Sequence, residues 1–425
     1  MDILIVSQYL RDIENFDGNN SRFVYLAKLL AENGNNQVEI VTSDFNHATK
    51  KNFQSVGKLQ NVAVTAVHEP GYPKNVCLKR FSSHKKLAGN IKNYLTNRKK
   101  PDICYCAVPS LSVADVVSKY CKNNNIKFIV DVQDLWPEAF RMVFHVPIIS
   151  NMIFAPMKRQ ADRIYASADQ IVAVSKTYAD RAQSVNRRSR KPVVVYLGTD
   201  KKVFDGYADK KLEELDNNET IASVWTVKLE KEVAIASNDC AESLENGIVR
   251  IAYCGTLGHS YDISCVINAI KSLDKNYQDR IEFVVMGDGP RKHEFISEAE
   301  GLPIIFTGKL SYPDMVWVLR RCDIAVNPIT KGAAQSIINK HMDYAMAGLP
   351  VINTQECIEY RNLLDEYRAG INCECENVEE VAIALKRLID DRELRDSMGK
   401  NSLKMGEECF DRGITYNRLV ELFSR

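Results

Sequence analysis

The sequence has almost no net charge: 56 Lys and Arg stand against 55 Asp and Glu, leaving +1 at neutral pH. That balance excludes the global electrostatic pull on which nucleic-acid binding depends. It also lacks an uninterrupted apolar run of the roughly 20 residues that a membrane-spanning helix takes. The amino terminus reads Met-Asp-Ile-Leu-Ile-Val-Ser. It has no basic segment and no cleavage site and starts directly as a strand, so no signal peptide and a cytoplasmic location are expected. The 12 cysteines form only two close pairs, Cys104/Cys106 and Cys373/Cys375, without the histidines a zinc site would want. Cys77, Cys104, Cys106, Cys254, Cys265 and Cys322 lie in apolar surroundings, which fits small buried hydrophobes in a reducing compartment.

A chain of 425 residues, 45% hydrophobic and 26% charged, has the composition of a soluble globular protein of two domains. Its first half alternates short apolar strands (Ile3–Ser7, Val38–Thr42, Val62–Val67, Ile103–Ala107, Phe128–Val132, Gln170–Ser175, Val193–Leu197) with helices near Ser21–Asn33, Ser82–Asn97, Leu111–Asn123 and Asn151–Ala166. From about Asp205 to Gly247 the pattern dissolves into Asp, Glu, Asn and Lys, as in a linker with a peripheral insertion. A second alternating series begins at Val249 and runs to helices near Val378–Asp390 and Leu394–Met405, followed by an amphipathic helix at Thr415–Phe423. The expected class is α/β: two Rossmann-like doubly wound domains facing a central cleft. Residues 1–204 would form the first domain, with 412–425 packing back on it, and residues 205–411 the second.

The most informative stretch is 335–352, Gln-Ser-Ile-Ile-Asn-Lys-His-Met-Asp-Tyr-Ala-Met-Ala-Gly-Leu-Pro-Val-Ile. A polar loop leads into a short helix that stops at Gly348, and Pro350 opens an apolar strand. Unpaired N–H groups at the helix start, together with the positive end of its dipole, suit a phosphate. Asp343 lies further in, within reach of a hydroxyl of the same ligand. Other loops follow strands of this half: Gly255–Gly258, Gly287–Pro290 and Thr307–Leu310. Open parallel sheets bind ligands at the carboxyl ends of their strands. The glycines there would let a nucleotide approach the backbone closely, and Lys309 and Leu310 would meet a base edge.

Tyr253-Cys254-Gly255-Thr256-Leu257-Gly258, Gly287-Asp288-Gly289-Pro290, Gly308-Lys309-Leu310, Asp323-Ile324-Ala325-Val326-Asn327-Pro328 and the run from Asp343 to Ile352 together resemble the donor domain of glycosyltransferase family 4, retaining sugar transferases of the two-Rossmann-domain (GT-B) type. Asp131-Val132-Gln133-Asp134-Leu135-Trp136-Pro137-Glu138 looks like the Asp-Leu-Trp-Pro element of bacterial O-antigen and capsule members. The likeness spans nearly the whole chain and omits residues 205–247. It implies a nucleotide-diphospho-sugar donor, with UDP expected from the family at large, no metal and no separate cofactor, and a lipid-linked or saccharide acceptor in surface polysaccharide synthesis. It implies donor contacts at Gly255, Thr256, Gly258, Gly287, Gly289, Lys309, Leu310, Ser336, Ile337 and Asp343. Two departures stand out. Where the family usually has two glutamates, this chain has Gln335 and Asp343. Where it often has an Arg and a Lys, this chain has Thr256 and Tyr261. Another cation must then meet the diphosphate, and Lys340 is the first candidate, before Lys331 and Arg291.

In the first domain, Asp134 either orients a substrate or caps the following turn, with Asp131 and Glu138 as further carboxylates; Trp136 reads as packing. Catalytic roles are thus expected of Asp134, Gln335 and Lys340. Asn20 stands in the loop where family members carry glycines. From Lys74 to Lys100 there are nine basic residues and no acidic one. Lys85, Lys86 and Lys92 give a basic helix face that is either simply solvated or docks on anionic lipid, with the apolar segment Met142–Met157 beside it. A sugar-nucleotide epimerase of the same fold and a non-catalytic subunit supporting an active partner remain as alternatives.

Overall fold

The computed structural model describes all residues except 18, 20, 33–34, 76, 140–146, 189–190, 208–246, 334–335 and 425, with backbone alone for 147–152. Gln335, Asn20, most of the 205–247 insertion and much of Met142–Met157 therefore lie outside the described residues. The chain divides into two compact units, one of Met1–Leu197 with Thr415–Arg425, the other of Gly198–Ile414.

The first unit is built on a seven-stranded, wholly parallel sheet. Its strands are β1 (Asp2–Val6), β2 (Gln37–Ser43), β5 (Val62–Val67), β6 (Ile103–Val108), β7 (Lys127–Val132), β8 (Gln170–Ala173) and β9 (Val193–Val194), in the order β5-β2-β1-β6-β7-β8-β9. Side chains alternate across the pleat. Leu4, Val6, Cys104, Cys106 and Val130 enter the core on one face, and Ile3, Ile5, Tyr105 and Ile129 enter the core on the other. Burial on both faces explains why these strands read as unbroken apolar runs. A two-stranded hairpin, β3 (Phe45–Asn46) with β4 (Lys51–Asn52), extends from the carboxyl end of β2; sequence patterning did not reveal it. The C-terminal helix expected at Thr415–Phe423 is instead broken into Arg412–Thr415, Asn417–Val420 and a 3₁₀ turn at Glu421–Phe423, with Tyr416, Leu419 and Phe423 buried against the first sheet.

The second unit holds six parallel strands, β10 (Val249–Cys254), β11 (Ile281–Met286), β12 (Ile304–Gly308), β13 (Ile324–Asn327), β14 (Val351–Asn353) and β15 (Gly370–Asn372), ordered β12-β11-β10-β13-β14-β15. Numbered from the first strand, this is 3-2-1-4-5-6, the dinucleotide-fold order, with its switch point between β10 and β13. The helix Val378–Asp390 is capped by Asn377, whose side chain accepts from the Glu380 N–H, and buries Val381, Leu385 and Leu388 in this core. The helix Ile358–Tyr367 and strand β15 escaped the sequence reading, because three half-buried residues and a helix with only Tyr360 and Leu364 buried give weak periodicity.

Candidate functional site

The helix expected in the 335–352 stretch spans Asn339–Met346, and Gly348 ends it at φ +72 while the Leu349 N–H reaches back to the Tyr344 carbonyl at 3.1 Å. Every residue from Lys340 to Met346 is buried. Burying Lys, His and Asp together would be costly if they had nothing to do. The helix is pinned to the end of β10 by Tyr344, whose hydroxyl accepts the Cys254 N–H at 3.0 Å. Lys340 and Tyr344 of this helix thus both reach the end of β10, beside the switch point of the sheet.

Lys340 carries the strongest signal. Its Nζ is buried and has no hydrogen-bond partner among the described residues. It stands 4.0 Å from the ring centroid of Tyr253 and 4.1 Å from that of Tyr261. Cation–π attraction offsets part of the desolvation, yet burial still lowers the ammonium to about 7. Tyr261 occupies a place where the family often has a cation. Here its ring supports a cation delivered from another segment. Gly255 makes room: it has φ +143, and a Cβ there would lie 3.1 Å from Lys340 Nζ. The alternatives are weaker. Arg291 is paired with Glu294, and Lys331 is exposed.

The loops at the strand ends pack on one another. A Cβ on Gly287 would fall 1.8 Å from the Gly255 carbonyl oxygen, and one on Gly289 would fall 2.3 Å from that of Leu257. Contact between two protein loops thus already requires glycine at 287 and 289. Hydrogen bonds from the Gly255 N–H to the Met286 carbonyl and from the Leu257 N–H to the Asp288 carbonyl, both 2.9 Å, lock them. Gly255, Thr256, Met286, Gly287, Asp288, Lys309, Leu310 and Met315 line a cavity of about 260 Å³. Five predicted donor-site residues are so brought together. Gly258, Gly289, Ser336, Ile337 and Asp343 are not among its lining. Ser336 and Ile337 are buried.

Asp343 is buried on the same helix, one turn beyond Lys340. Its Oδ1 accepts from the Tyr312 hydroxyl at 2.8 Å, and burial raises the carboxyl to about 6. A polar network not foreseen from sequence fixes the start of the helix. His341 is fully buried and stacked on Tyr360 at 3.5 Å, its Nδ1 takes the Ile338 N–H at 3.3 Å, and its Nε2 is 3.0 Å from the Asn327 amide. Burial, with Lys340 adjacent, keeps this imidazole neutral. Asn327 also donates to Asn353 and Gln355, and Gln355 donates to the Ser336 carbonyl at 2.9 Å, tying the loop to the ends of β13 and β14. The sequence hint was polar residues closing two apolar strands.

In the first unit, the carboxylates of the 131–138 element are engaged by other groups of the same unit. Asp131 is fully buried, in an ion pair with Arg22 at 2.8 Å, and accepts from Tyr105 at 2.7 Å. Asp134 accepts from the Leu135 N–H at 2.9 Å and the Trp136 indole at 3.2 Å, with the Tyr178 hydroxyl at 3.5 Å, and burial raises its carboxyl. Glu138 pairs with Arg181 at 2.6 Å. Lys85, Lys86 and Lys92 are exposed on the helix Leu78–Asn97. No described helix is long and apolar enough to cross a membrane, and no described group of three His, Cys, Asp or Glu side chains is placed to hold a metal ion.

Among solved structures, HepE of Anabaena in complex with UDP matches with a TM-score of 0.64 at 13% identity over 100% of both chains. Sucrose-phosphate synthase of Thermosynechococcus elongatus matches with a TM-score of 0.69 at 12% identity over 100% of this chain and 98% of the other. WaaG, a glycosyltransferase involved in lipopolysaccharide biosynthesis, matches with a TM-score of 0.61 at 12% identity, with 99% of each chain covered. At such identities the likeness is one of fold, the two-domain GT-B architecture. No curated protein matches the sequence significantly. The family model described as Glycosyltransferase Family 4 matches residues 16–203, and that described as Glycosyl transferases group 1 matches residues 249–391. The two matches take in most of both units, and the chain belongs to the glycosyltransferases that join these two domains.

Proposed function

We propose that this glycosyltransferase moves a sugar from a UDP-sugar to a lipid-linked or saccharide acceptor in the building of a bacterial surface polysaccharide, with retention of anomeric configuration and without a metal. The observation that carries the donor half of this reading is the unpartnered ammonium of Lys340 beside Gly255 at the switch point of the second sheet. A buried cation held ready in a medium of low dielectric stabilises a leaving diphosphate more than a solvated one does, and needs no reorganisation as charge develops. The first-turn N–H groups of the helix Asn339–Met346 add the positive end of its dipole. The cavity lined by Gly255, Thr256, Lys309 and Leu310 takes the nucleoside. Asp343 reads a ribose hydroxyl with the oxygen that Tyr312 leaves free, and Gln335 a hydroxyl of the donor sugar. Asp134 shapes the acceptor side. The complexes of HepE with UDP and with UDP-glucose support the choice of nucleotide.

The acceptor belongs to the first unit. Lys85, Lys86 and Lys92, with Leu78 and Phe81 exposed near the start of the same helix, support peripheral binding to the cytoplasmic face of an anionic membrane. A thermal-shift panel tests the donor reading, since a ligand that binds only the folded state raises its melting temperature with concentration. UDP and UDP-sugars should raise the midpoint, and GDP should do so less. If neither nucleotide moves it, the donor site is assigned wrongly.

A further inference from the structure

The carboxyl ends of β1, β2 and β5 hold a second group of side chains that the transfer chemistry above does not use. Tyr9 follows β1, His47 and Lys50 stand in the turn of the β3–β4 hairpin, Tyr72 follows β5, and Arg80 lies in the first turn of the helix Leu78–Asn97. The guanidinium of Arg80 lies 4.6 Å from the Trp136 ring centroid, 5.5 Å from that of Tyr72 and 6.0 Å from that of Tyr9. Its terminal nitrogens donate to the Tyr9 hydroxyl at 3.0 Å and the Asn75 carbonyl at 2.9 Å, and its buried Nε has no partner among the described residues. Lys50 Nζ donates to the His47 carbonyl and to the Asn75 side-chain carbonyl, both neutral acceptors, and lies 5.0 Å from the Tyr72 ring centroid.

Neither cation enters an ion pair among the described residues. Glu69, a carboxylate near Tyr9 and Tyr72, is committed elsewhere: it is buried and accepts from Gln8 at 3.0 Å, Ser43 at 2.6 Å and Ser83 at 2.8 Å. The His47 imidazole does not offset the charge but registers it. His47 hydrogen-bonds Tyr72 at 2.6 Å and is pushed down to about 4 by burial and by Lys50, Arg80 and Arg11. The adjoining helix starts at Cys77 without a side-chain cap and has no acidic residue in its first turn. Aromatic rings hold the cations in place while leaving their charge unneutralised, at the end of a parallel sheet where ligands bind.

We propose that Arg80 and Lys50, seated on Tyr9, Tyr72 and Trp136, form an anion site in the first unit that takes a phosphate or diphosphate ester of the acceptor. The planar fork of Arg80 suits phosphate oxygens, and Lys50 adds a point charge. This rests on the glycosyltransferase reading only for the word acceptor; the anion site stands or falls by itself.

The test is calorimetric titration of inorganic pyrophosphate into the full chain saturated with UDP, and into the Lys340→Met protein, so that the donor-side cation is silent in both. Binding should remain in each. Arg80→Gln and Lys50→Gln should each weaken it at least tenfold, while UDP affinity stays within twofold of the parent. Arg80→Lys, which keeps charge and loses the fork, should fall between. Half-buried Lys50 can be changed without disturbing the core, so one variant remains informative if Arg80→Gln unfolds. Glucose 6-phosphate competing with pyrophosphate in an Arg80-dependent manner identifies a soluble phosphate ester. Arg80-dependent co-sedimentation with phosphatidylglycerol vesicles, and not with phosphatidylcholine vesicles, identifies a lipid-borne one. Absence of pyrophosphate binding, or binding untouched by the Lys50 and Arg80 substitutions, overturns the proposal. UDP that fails to bind while pyrophosphate still depends on Arg80 would sink the donor assignment and leave this site standing.

Discussion

Lys340 Nζ sits 4.0 Å from the Tyr253 ring centroid, on the far side of a glycine whose missing Cβ leaves it space. A cation so placed is desolvated, poorly compensated and close to the carboxyl end of a strand, where open parallel sheets bind their ligands. Its behaviour can be read in stability and in binding separately.

Lys340→Met should weaken UDP-sugar binding at least tenfold, about 1.4 kcal/mol, without lowering the melting temperature of the free protein. The pH dependence follows from the ammonium at about 7 in the folded chain against the usual 10.5. Between these values the unfolded chain binds the proton and the folded one does not, so this group makes stability rise with pH through that window, by on the order of 1 kcal/mol per unit. Below 7 both states are charged and the contribution is flat. Donor binding requires the charged form, so UDP-sugar affinity should fall as pH rises above 7. Denaturant melts and titrations at several pH values check both slopes, and both should vanish in the Met variant.

Asp343 has the opposite signature. Burial raises its carboxyl from 3.8 to about 6, so the folded state holds the proton longer and this group's contribution to stability falls as pH rises from about 4 through 6. Asp343→Asn should therefore raise the melting temperature at pH 7.5, by on the order of 2 kcal/mol in stability, and make little difference at pH 4. Loss of UDP affinity in the same variant would tie the carboxylate to the ribose. Unchanged affinity would leave it only its bond to Tyr312.

Gly287→Ala should destabilise the second unit by roughly 1–3 kcal/mol through overpacking, because its Cβ would meet the Gly255 carbonyl oxygen at 1.8 Å. Gly258→Ala is the control, since there the nearest atom is Thr256 Cγ2 at an ordinary 3.5 Å. Thermal melts of the two variants should separate clearly, and Gly287→Ala should also lose donor affinity as the two loops part.

Asp131→Ala leaves a buried guanidinium unpaired, a change that costs about 3–5 kcal/mol. Arg22 also donates to the Val195 and Tyr196 carbonyls and to the Tyr416 hydroxyl, which in turn donates to the Leu197 carbonyl at 2.8 Å. Hydrogen exchange should therefore quicken first in the returning segment Thr415–Arg425. Exchange confined to β7 would contradict this account.

The strands were legible because both sheets are buried on both faces, which demands continuous apolar runs such as Ile281–Met286 and Ile103–Val108. The helix stop at Gly348 and the glycine loops at the strand ends were legible from local chemistry. The β3–β4 hairpin, β15 and the helix Ile358–Tyr367 were not, since each buries too little to leave a period. Asp131 stood out as a candidate carboxylate on its position at the end of a strand, and its partner Arg22 is 109 residues away. A contact at that separation has no signature in the chain.

The amino-acid order by itself determined two parallel α/β units and the segment beside the switch point, because each follows from short-range periodicity, capping and turn chemistry, and its motifs carried the resemblance to the glycosyltransferase family that the two family models bear out. Tertiary structure alone decided which polar groups are already matched and which are not. Asp131, Glu69 and Glu138 find donors within the protein, whereas Lys340 and Arg80 come to rest on aromatic rings with charge to offer. Sequence proximity cannot tell these cases apart, since pairing depends on which distant side chains the fold brings within about 3 Å.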